Sequence, residues 1–513
     1  MLTADNILPL SSEAHRAAIF LPLLEQVKIG NYFAFRHFIG QQRLTSLDLS
    51  QLLRGHERGA LQHLGQALHN MPIEKLDISN NALGPAGIGA FMEALRGTQI
   101  KSLNLAKNNL QDQGVAALAQ FISTTAITHL ELEDNQIAGQ SLVSLAQGLT
   151  PSAMQCISLC YNPIPTDMAV QFLQNLANSS VKTLSFEENN LMAGDLTNLH
   201  ELGQALAITP INAINLSGNE LDAQGITAFL SGLNFSKVTY MDLSCNNIGG
   251  VDISTSAPVI GELAKALSST SLVQLDISAN NLIAAQMMGL GQHLVNHFSL
   301  KKLFIGSNQL GTSVEVESAL RGLASLTVQE LDLSDSYLQN HHVEILLTAL
   351  KDKALYKLNL ADNLISNAGV TELLPKLATT QLVQLNVDNR DLTTETKNLI
   401  QQAMQQQKSQ LMVTPFWVYF LHRSSQMPQG LEVSIKPKSS LDTSSQQAAR
   451  NGMAILMDKR LPNELFCKIF SYLPLMGASN VYQRIEQFEK ILSTRSGGQL
   501  FNLRELARSR PKP

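Results

Sequence analysis

The chain has 513 residues, 44% of them hydrophobic and only 15% charged, with a formal net charge of −5. That charge argues against a nucleic-acid partner, which favours a basic footprint, and the hydrophobic share is ample for a buried interior. Four cysteines in a chain this long do not make a disulfide framework, so a reducing, cytoplasmic compartment is the simpler expectation.

Residues 1–43 read as a helical N-terminal cap. Residues 1–6 (MLTADN) lack the basic start of an ordinary secretory signal. Ser12–Val27 places Ala14, Ala17, Ala18, Phe20, Leu21 and Leu24 close to helical spacing, and Phe33, Phe35 and Phe38 add an aromatic cluster.

From Leu44 a repeat takes over. Ile100–Leu110 reads IKSLNLAKNNL, and the same template returns at Ile127, Met154 and Val181, each time 27 residues later. Related units open at Leu44, Ile73, Ile211, Val238, Leu272, Leu300, Val328, Leu355 and Leu382, giving about 13 units over 44–393. A fixed period in this range marks a stacked array in which one unit cannot bury its own apolar face. The Leu-x-Leu core alternates with period 2 and predicts a short parallel strand. The second half of each unit predicts a helix; in Gly114–Ile122, Val115, Leu118, Ala119 and Ile122 share a face. Gly87, Gly114, Gly225 and Gly369 open these helices at matching offsets, where a tight reversal would suit glycine.

An asparagine follows each strand, from Asn81 through Asn108, Asn135, Asn162, Asn189, Asn219, Asn246, Asn280, Asn308 and Asn363. There the chain turns inward, and a stacked amide can both donate to and accept from neighbouring turns. Leu52, Ser336 and Arg390 break the column; Ser336 is internal, so the eleventh unit is expected to be locally weaker.

These residues carry a resemblance to leucine-rich repeats of the ribonuclease-inhibitor-like type. It implies an α/β solenoid: a horseshoe with a parallel sheet inside, helices outside, and a concave face that grips a protein partner. The residues lining that face are expected to be those that flank and split Leu-x-Leu. Acidic groups predominate there; Glu131, Glu133, Asp134, Glu187 and Glu188 form the candidate cluster that would steer a basic partner, and Asp242, Asp276 and Asp332 are further candidate contacts on that face. Tyr161, Tyr240, Phe304 and Tyr337 are candidate aromatic anchors. The competing reading is that these charges only keep an open sheet soluble. Cys156 and Cys160 lie four apart on the predicted strand, roughly 13 Å at strand rise, too far to bridge. The extra residues Gly249–Pro258 are expected to loop out between strand and helix.

Residues 394–423 read as a C-terminal cap, with a polar helix over Thr396–Leu411 and a β-prone run, Leu411–Phe420, suited to covering the last strand. The apolar run Leu411–Leu421 is too short to span a bilayer, so no stable membrane insertion is expected. Residues 424–450 read as a flexible linker, and 451–513 as a small helical module.

In that module Leu461–Pro474 reads LPNELFCKIFSYLP. It resembles the opening of an F-box, which implies docking on a Skp-type adaptor of a ubiquitin ligase through Leu461, Pro462, Leu465, Ile469, Phe470 and Leu473. The pairing of repeats with an F-box-like end is similar to effectors that intracellular bacteria export into host cells. Ran GTPase-activating proteins share this repeat type and place a catalytic arginine beside an early strand; Arg54 and Arg58 occupy a comparable region, which gives the alternative function. No phosphate-binding loop or nucleophile elbow appears. His293 with His297, and His341 with His342 and Glu344, lack a further ligand and are expected to be surface or packing groups. The sequence therefore predicts a non-enzymatic scaffold without cofactor or metal.

Overall fold

The computed structural model of the chain describes residues 12–54, 58–191, 195–250, 253–388 and 391–407. Thirteen strands form one parallel sheet in sequence order. They are β1 (Ser46–Asp48), β2 (Lys75–Asp77), β3 (Ser102–Asn104), β4 (His129–Glu131), β5 (Cys156–Ser158), β6 (Thr183–Ser185), β7 (Ala213–Asn215), β8 (Tyr240–Asp242), β9 (Gln274–Asp276), β10 (Lys302–Phe304), β11 (Glu330–Asp332), β12 (Lys357–Asn359) and β13 (Gln384–Asn386). Each strand is followed by a helical segment before the next begins, as the switch from period 2 to helical spacing requires.

The register is set by the first leucine of each Leu-x-Leu. Leu76 pairs with Leu103, Leu103 with Leu130 and Leu130 with Ile157. Like residues therefore stack, and Ile100, Leu103, Leu105, Leu110, Leu130 and Leu132 are at most 1% exposed. A one-residue slip would turn this apolar column to the open face, so the pattern holds the register strongly.

Beyond each strand the ladder continues through a left-handed residue. Lys107, Asp134, Tyr161 and Glu188 all have φ between 50° and 58°, a region that costs non-glycine residues energy. Inter-unit bonds hold them there: Lys107 N–H donates to Glu133 O (2.8 Å), Asp134 N–H to Cys160 O (3.0 Å) and Tyr161 N–H to Glu187 O (2.9 Å). The next residue is the buried asparagine. Asn135 Oδ1 accepts from Asn108 N–H (3.1 Å) and Leu110 N–H (3.2 Å), while its Nδ2 donates to Leu105 O (2.9 Å) and Glu133 O (3.1 Å). One amide thus satisfies backbone groups of its own turn and of the preceding unit, which is why the column recurs.

Compactness divides the chain into two units: Met1–Leu350 with Leu358–Ser366 and Asn386–Arg390, and Lys351–Lys357 with Asn367–Leu385 and Asp391–Pro513. The first begins with helices α1 (Glu13–Lys28) and α2 (Phe33–Gln42). Ser12 Oγ caps α1 by accepting from His15 N–H, and Phe20, Leu24 and Val27 are buried. The aromatic cluster is split: Phe38 meets Phe20 edge-on at 5.7 Å and Phe35 is buried, whereas Phe33 is 77% exposed. Buried Arg16 reaches the first strand, with Nη1 3.3 Å from Asp48 Oδ2 and Nη2 donating to Ser50 Oγ at 3.1 Å. In the second unit a helix spans 394–407, and Gln407 Nε2 donates to Thr380 O at 2.7 Å.

Three sequence expectations change. The helix-opening glycines do not reverse the chain. Gly87 has an ordinary φ of −96°, and Gly114 lies inside the helix Gln111–Ala119. A Cβ at Gly114 would sit 3.0 Å from Leu110 Cβ and 3.2 Å from Pro85 Cα, so close packing selects glycine there. The extra residues of the eighth unit do not loop out as far as Pro258, because from Ile253 they form part of a long helix, Ile253–Ser268. Finally β5 ends at Ser158, so Cys160 lies beyond the strand, buried, with its Sγ 3.0 Å from both Ser158 Oγ and Ser185 Oγ.

Candidate functional site

In β1 to β12 the central apolar residue is buried and the residues on either side of it are partly or fully exposed; in β13 the central Leu385 is only partly covered. The residue that ends each strand is Asp, Asn, Glu, Ser or Phe, and its chemistry falls into two classes.

In the first class the side chain caps its own turn. Asp77 Oδ1 accepts from Ser79 N–H (2.8 Å), Asp276 from Ser278 N–H (2.9 Å) and Asn104 from Ala106 N–H (2.9 Å). Asp242 and Asp332 accept from both the N–H and the Oγ of the serine two residues on, at 2.6–2.9 Å. These are Asx turns, in which the side-chain oxygen substitutes for a backbone acceptor. Aspartate and asparagine serve alike, so much of the apparent acidity of this column is local turn chemistry. The sequence carried the signal as Asp-x-Ser at 48–50, 77–79, 242–244, 276–278 and 332–334, which the charge reading overlooked. Glu330, outside this column, pairs with Lys302 at 3.4 Å.

The second class is centred on the fourth to sixth units. Glu131 ends β4, Glu133 follows two residues later and Asp134 is the left-handed residue beyond it. One unit on, Tyr161 stands at that left-handed position, half-exposed. The unit after contributes Glu187 and Glu188. None of these five carboxylates forms an ion pair with a described residue, and only Glu187 is tied to a neighbouring strand, accepting from Asn215 Nδ2 at 3.1 Å.

Glu131 and Glu187 are less acidic than an ordinary carboxyl, first through burial and then through neighbouring carboxylates. Partial burial, then Asp77 and Glu133, hold the Glu131 carboxyl above its ordinary value, with His129 pulling the other way. Partial burial also raises Glu187, opposed by the Asn215 hydrogen bond and reinforced by Asp242, Glu133 and Glu188. The Tyr161 phenol is pushed up by partial desolvation, then by Glu187, Glu188 and Glu133. Asp276 is likewise raised, mainly by burial, with Ser278 opposing and Asp242 and Asp332 reinforcing.

The remaining candidates are dispersed. Tyr240 opens β8, its phenol pushed up by burial and by Asp242 and Asp276, and Phe304 ends β10. Tyr337 is not on a strand: it lies in the turn after Ser336, φ 57° and half-exposed, because the strand of that unit closes at Asp332. The six F-box-like residues, Leu461, Pro462, Leu465, Ile469, Phe470 and Leu473, lie outside the described residues, as does Leu411–Phe420. Arg54 holds a turn, donating through Nε to Asn80 O (3.1 Å) and through Nη2 to Asn80 Oδ1 (2.7 Å); Arg58 opens the helix Arg58–Ala67. His297 and His342 are buried packing groups. Among the described residues no group of three His, Cys, Asp or Glu side chains could hold a metal ion, and no helix is long and apolar enough to cross a membrane.

Two segments, residues 69–92 and 98–119, match a family model described as Leucine Rich repeat. No sequence among the curated proteins matches the chain. Among solved structures, it is similar to an internalin (inlF) of Listeria monocytogenes at 16% identity and a TM-score of 0.39, covering 72% of this chain and 98% of that one. The leucine-rich repeat-containing protein LegL7 of Legionella pneumophila is 18% identical with a TM-score of 0.42, over 64% and 97% of the two chains. The TLR13 chain of a TLR13–ssRNA13 complex is 18% identical with a TM-score of 0.38; the match covers 69% of this chain and about half of TLR13, 52%. With its parallel strands in sequence order, its helix in every unit and its asparagine ladder, the chain is an α/β solenoid built of leucine-rich repeats.

Proposed function

We propose that the protein is a non-enzymatic interaction scaffold whose sheet face, at the fourth to sixth units, holds a basic segment of a protein partner. One observation carries this reading. Glu131, Glu133, Asp134, Glu187 and Glu188 stand together with no ion pair among the described residues, whereas the aspartates of other strands accept hydrogen bonds from their own turns. A cluster that repels itself in the free protein gains when a cation arrives, and Tyr161 between its two halves offers a ring face to a guanidinium or ammonium group.

In this reading the second contact is the segment Leu461–Leu473, whose F-box-like pattern would recruit a Skp-type adaptor, the arrangement of an effector exported by an intracellular bacterium. The sequence pattern alone supports that part. The two contacts are tested separately. Glu131→Lys with Glu187→Lys should weaken capture of the partner, identified by cross-linking and mass spectrometry in host-cell lysate, and flatten its salt dependence. Leu465→Asp with Ile469→Asp should abolish adaptor pull-down while the circular dichroism spectrum stays unchanged. Unaltered adaptor binding removes the ligase reading and leaves the sheet-face reading intact.

A further inference from the structure

Among the described units the asparagine ladder has one interior gap, at Ser336, and the chain to either side of it carries a buried histidine that serves as a backbone acceptor. In the other described interior units the asparagine Oδ1 accepts one or two N–H groups from the unit before, as Asn308 does from Asn280 (3.0 Å) and Leu282 (2.9 Å). Asn363 does the same for Ser336 and Leu338. Ser336 is fully buried, yet its short hydroxyl turns back to Ser334 O at 3.0 Å. Asn308 N–H and Leu310 N–H are the donors that an asparagine at 336 would receive. The tenth unit carries a short 3-10 turn, Leu310–Thr312, and Ser313 Oγ in the same connection is buried without a hydrogen-bond partner among the described residues.

The histidines flank this gap. His297 Nδ1 accepts Leu300 N–H at 3.2 Å at the entry to the tenth unit, with Ser299 Oγ at the same nitrogen and Thr270 Oγ1 at Nε2, both 3.2 Å away. His342 Nδ1 accepts Gln339 N–H at 3.1 Å, capping the helix Asn340–Ala349 of the eleventh unit. Two units earlier the same capping task falls to Gln286, whose Oε1 accepts Ile283 N–H at 3.0 Å. Glutamine cannot titrate; histidine can, and a proton on Nδ1 turns the acceptor into a donor facing another donor.

We infer that the tenth and eleventh units form an acid-sensitive joint, held shut by neutral His297 and His342 and opened locally when they take up protons. Burial disfavours the charged form of both; the positive charge of Lys301 adds to this at His297, where contacts with backbone carbonyls oppose it, and neighbouring His341 adds to it at His342. A histidine with a lowered value in the closed form binds fewer protons than in the open one. Its contribution to closure is complete above about pH 6.5 and is lost as pH falls below it. Opening would unpair β10 from β11 and disturb the sheet face at Phe304 and Asp332.

Hydrogen exchange on the full chain at pH 7 and pH 5, corrected for intrinsic exchange, tests this. Ile305 and Ser307 N–H, which bond to Asp332 O and Ser334 O, should lose about tenfold or more protection on acidification relative to Leu105 and Lys107 in the third unit. His342→Gln, which keeps the acceptor, should match wild type at pH 7 and show a smaller loss at pH 5. Ser336→Asn, which restores the ladder, should raise protection of Ile305 at both pH values. A uniform loss along the array, an acid response unchanged in His342→Gln, or no effect of Ser336→Asn would overturn the proposal.

Discussion

Replacing Asn135 by alanine takes the acceptor from Asn108 N–H and Leu110 N–H and removes one of two donors from Leu105 O and Glu133 O. The expected cost is about 2–4 kcal/mol, read as a shift of the denaturation midpoint at unchanged m-value. At the end of β2 the expectation differs. Asp77→Asn preserves the acceptor for Ser79 N–H and should leave stability within about 0.5 kcal/mol, whereas Asp77→Ala loses the turn and should cost about 1 kcal/mol. Glu131 belongs to the other class. Its carboxyl is raised in the folded chain, so the native state holds more protons than the unfolded one just above the ordinary carboxylate range, and stability falls as pH climbs through that window. Glu131→Gln should therefore raise the melting temperature at pH 7 and lose that advantage near about pH 4; a destabilised variant at pH 7 would show that the carboxylate has a structural partner.

At the level of elements, the helices Leu196–Ala207 and Ala223–Gly232 meet through Gly203 and Gly232. A Cβ on Gly203 would collide with Phe229 O and lie 3.1 Å from Gly232 Cα. Gly203→Ala, favourable by helix propensity alone, should instead destabilise the protein by roughly 2 kcal/mol or more, because backbone cannot step aside as a side chain can. Such contacts explain what was legible in the sequence. The strands, their order and their register follow from leucines and asparagines recurring every 27 or so residues, since each unit must present the same faces to its neighbours. Gly114 was misread as a turn glycine because a sequence shows which residue lacks a Cβ, not what lies against it. The start of the helix Ile253–Ser268 was placed too late because Ser254, Thr255, Ser256 and Pro258 resemble loop composition, while the stack decides the outcome. The acidic face was half-legible: the cluster from Glu131 to Glu188 stood out by charge and spacing, but that the aspartates of other strands cap their own turns required the hydrogen bonds.

For the whole molecule, the account divides carboxylates of equal formal charge into those spent on the fold and those left for a partner. A lysine- and arginine-rich peptide titrated at low salt distinguishes the two, because both double variants remove the same charge. Glu131→Gln with Glu187→Gln should weaken binding by about tenfold or more and reduce its salt dependence, while Asp77→Asn with Asp276→Asn should change affinity by no more than about twofold. Equal losses from the two pairs, or no loss from the first, would contradict the account.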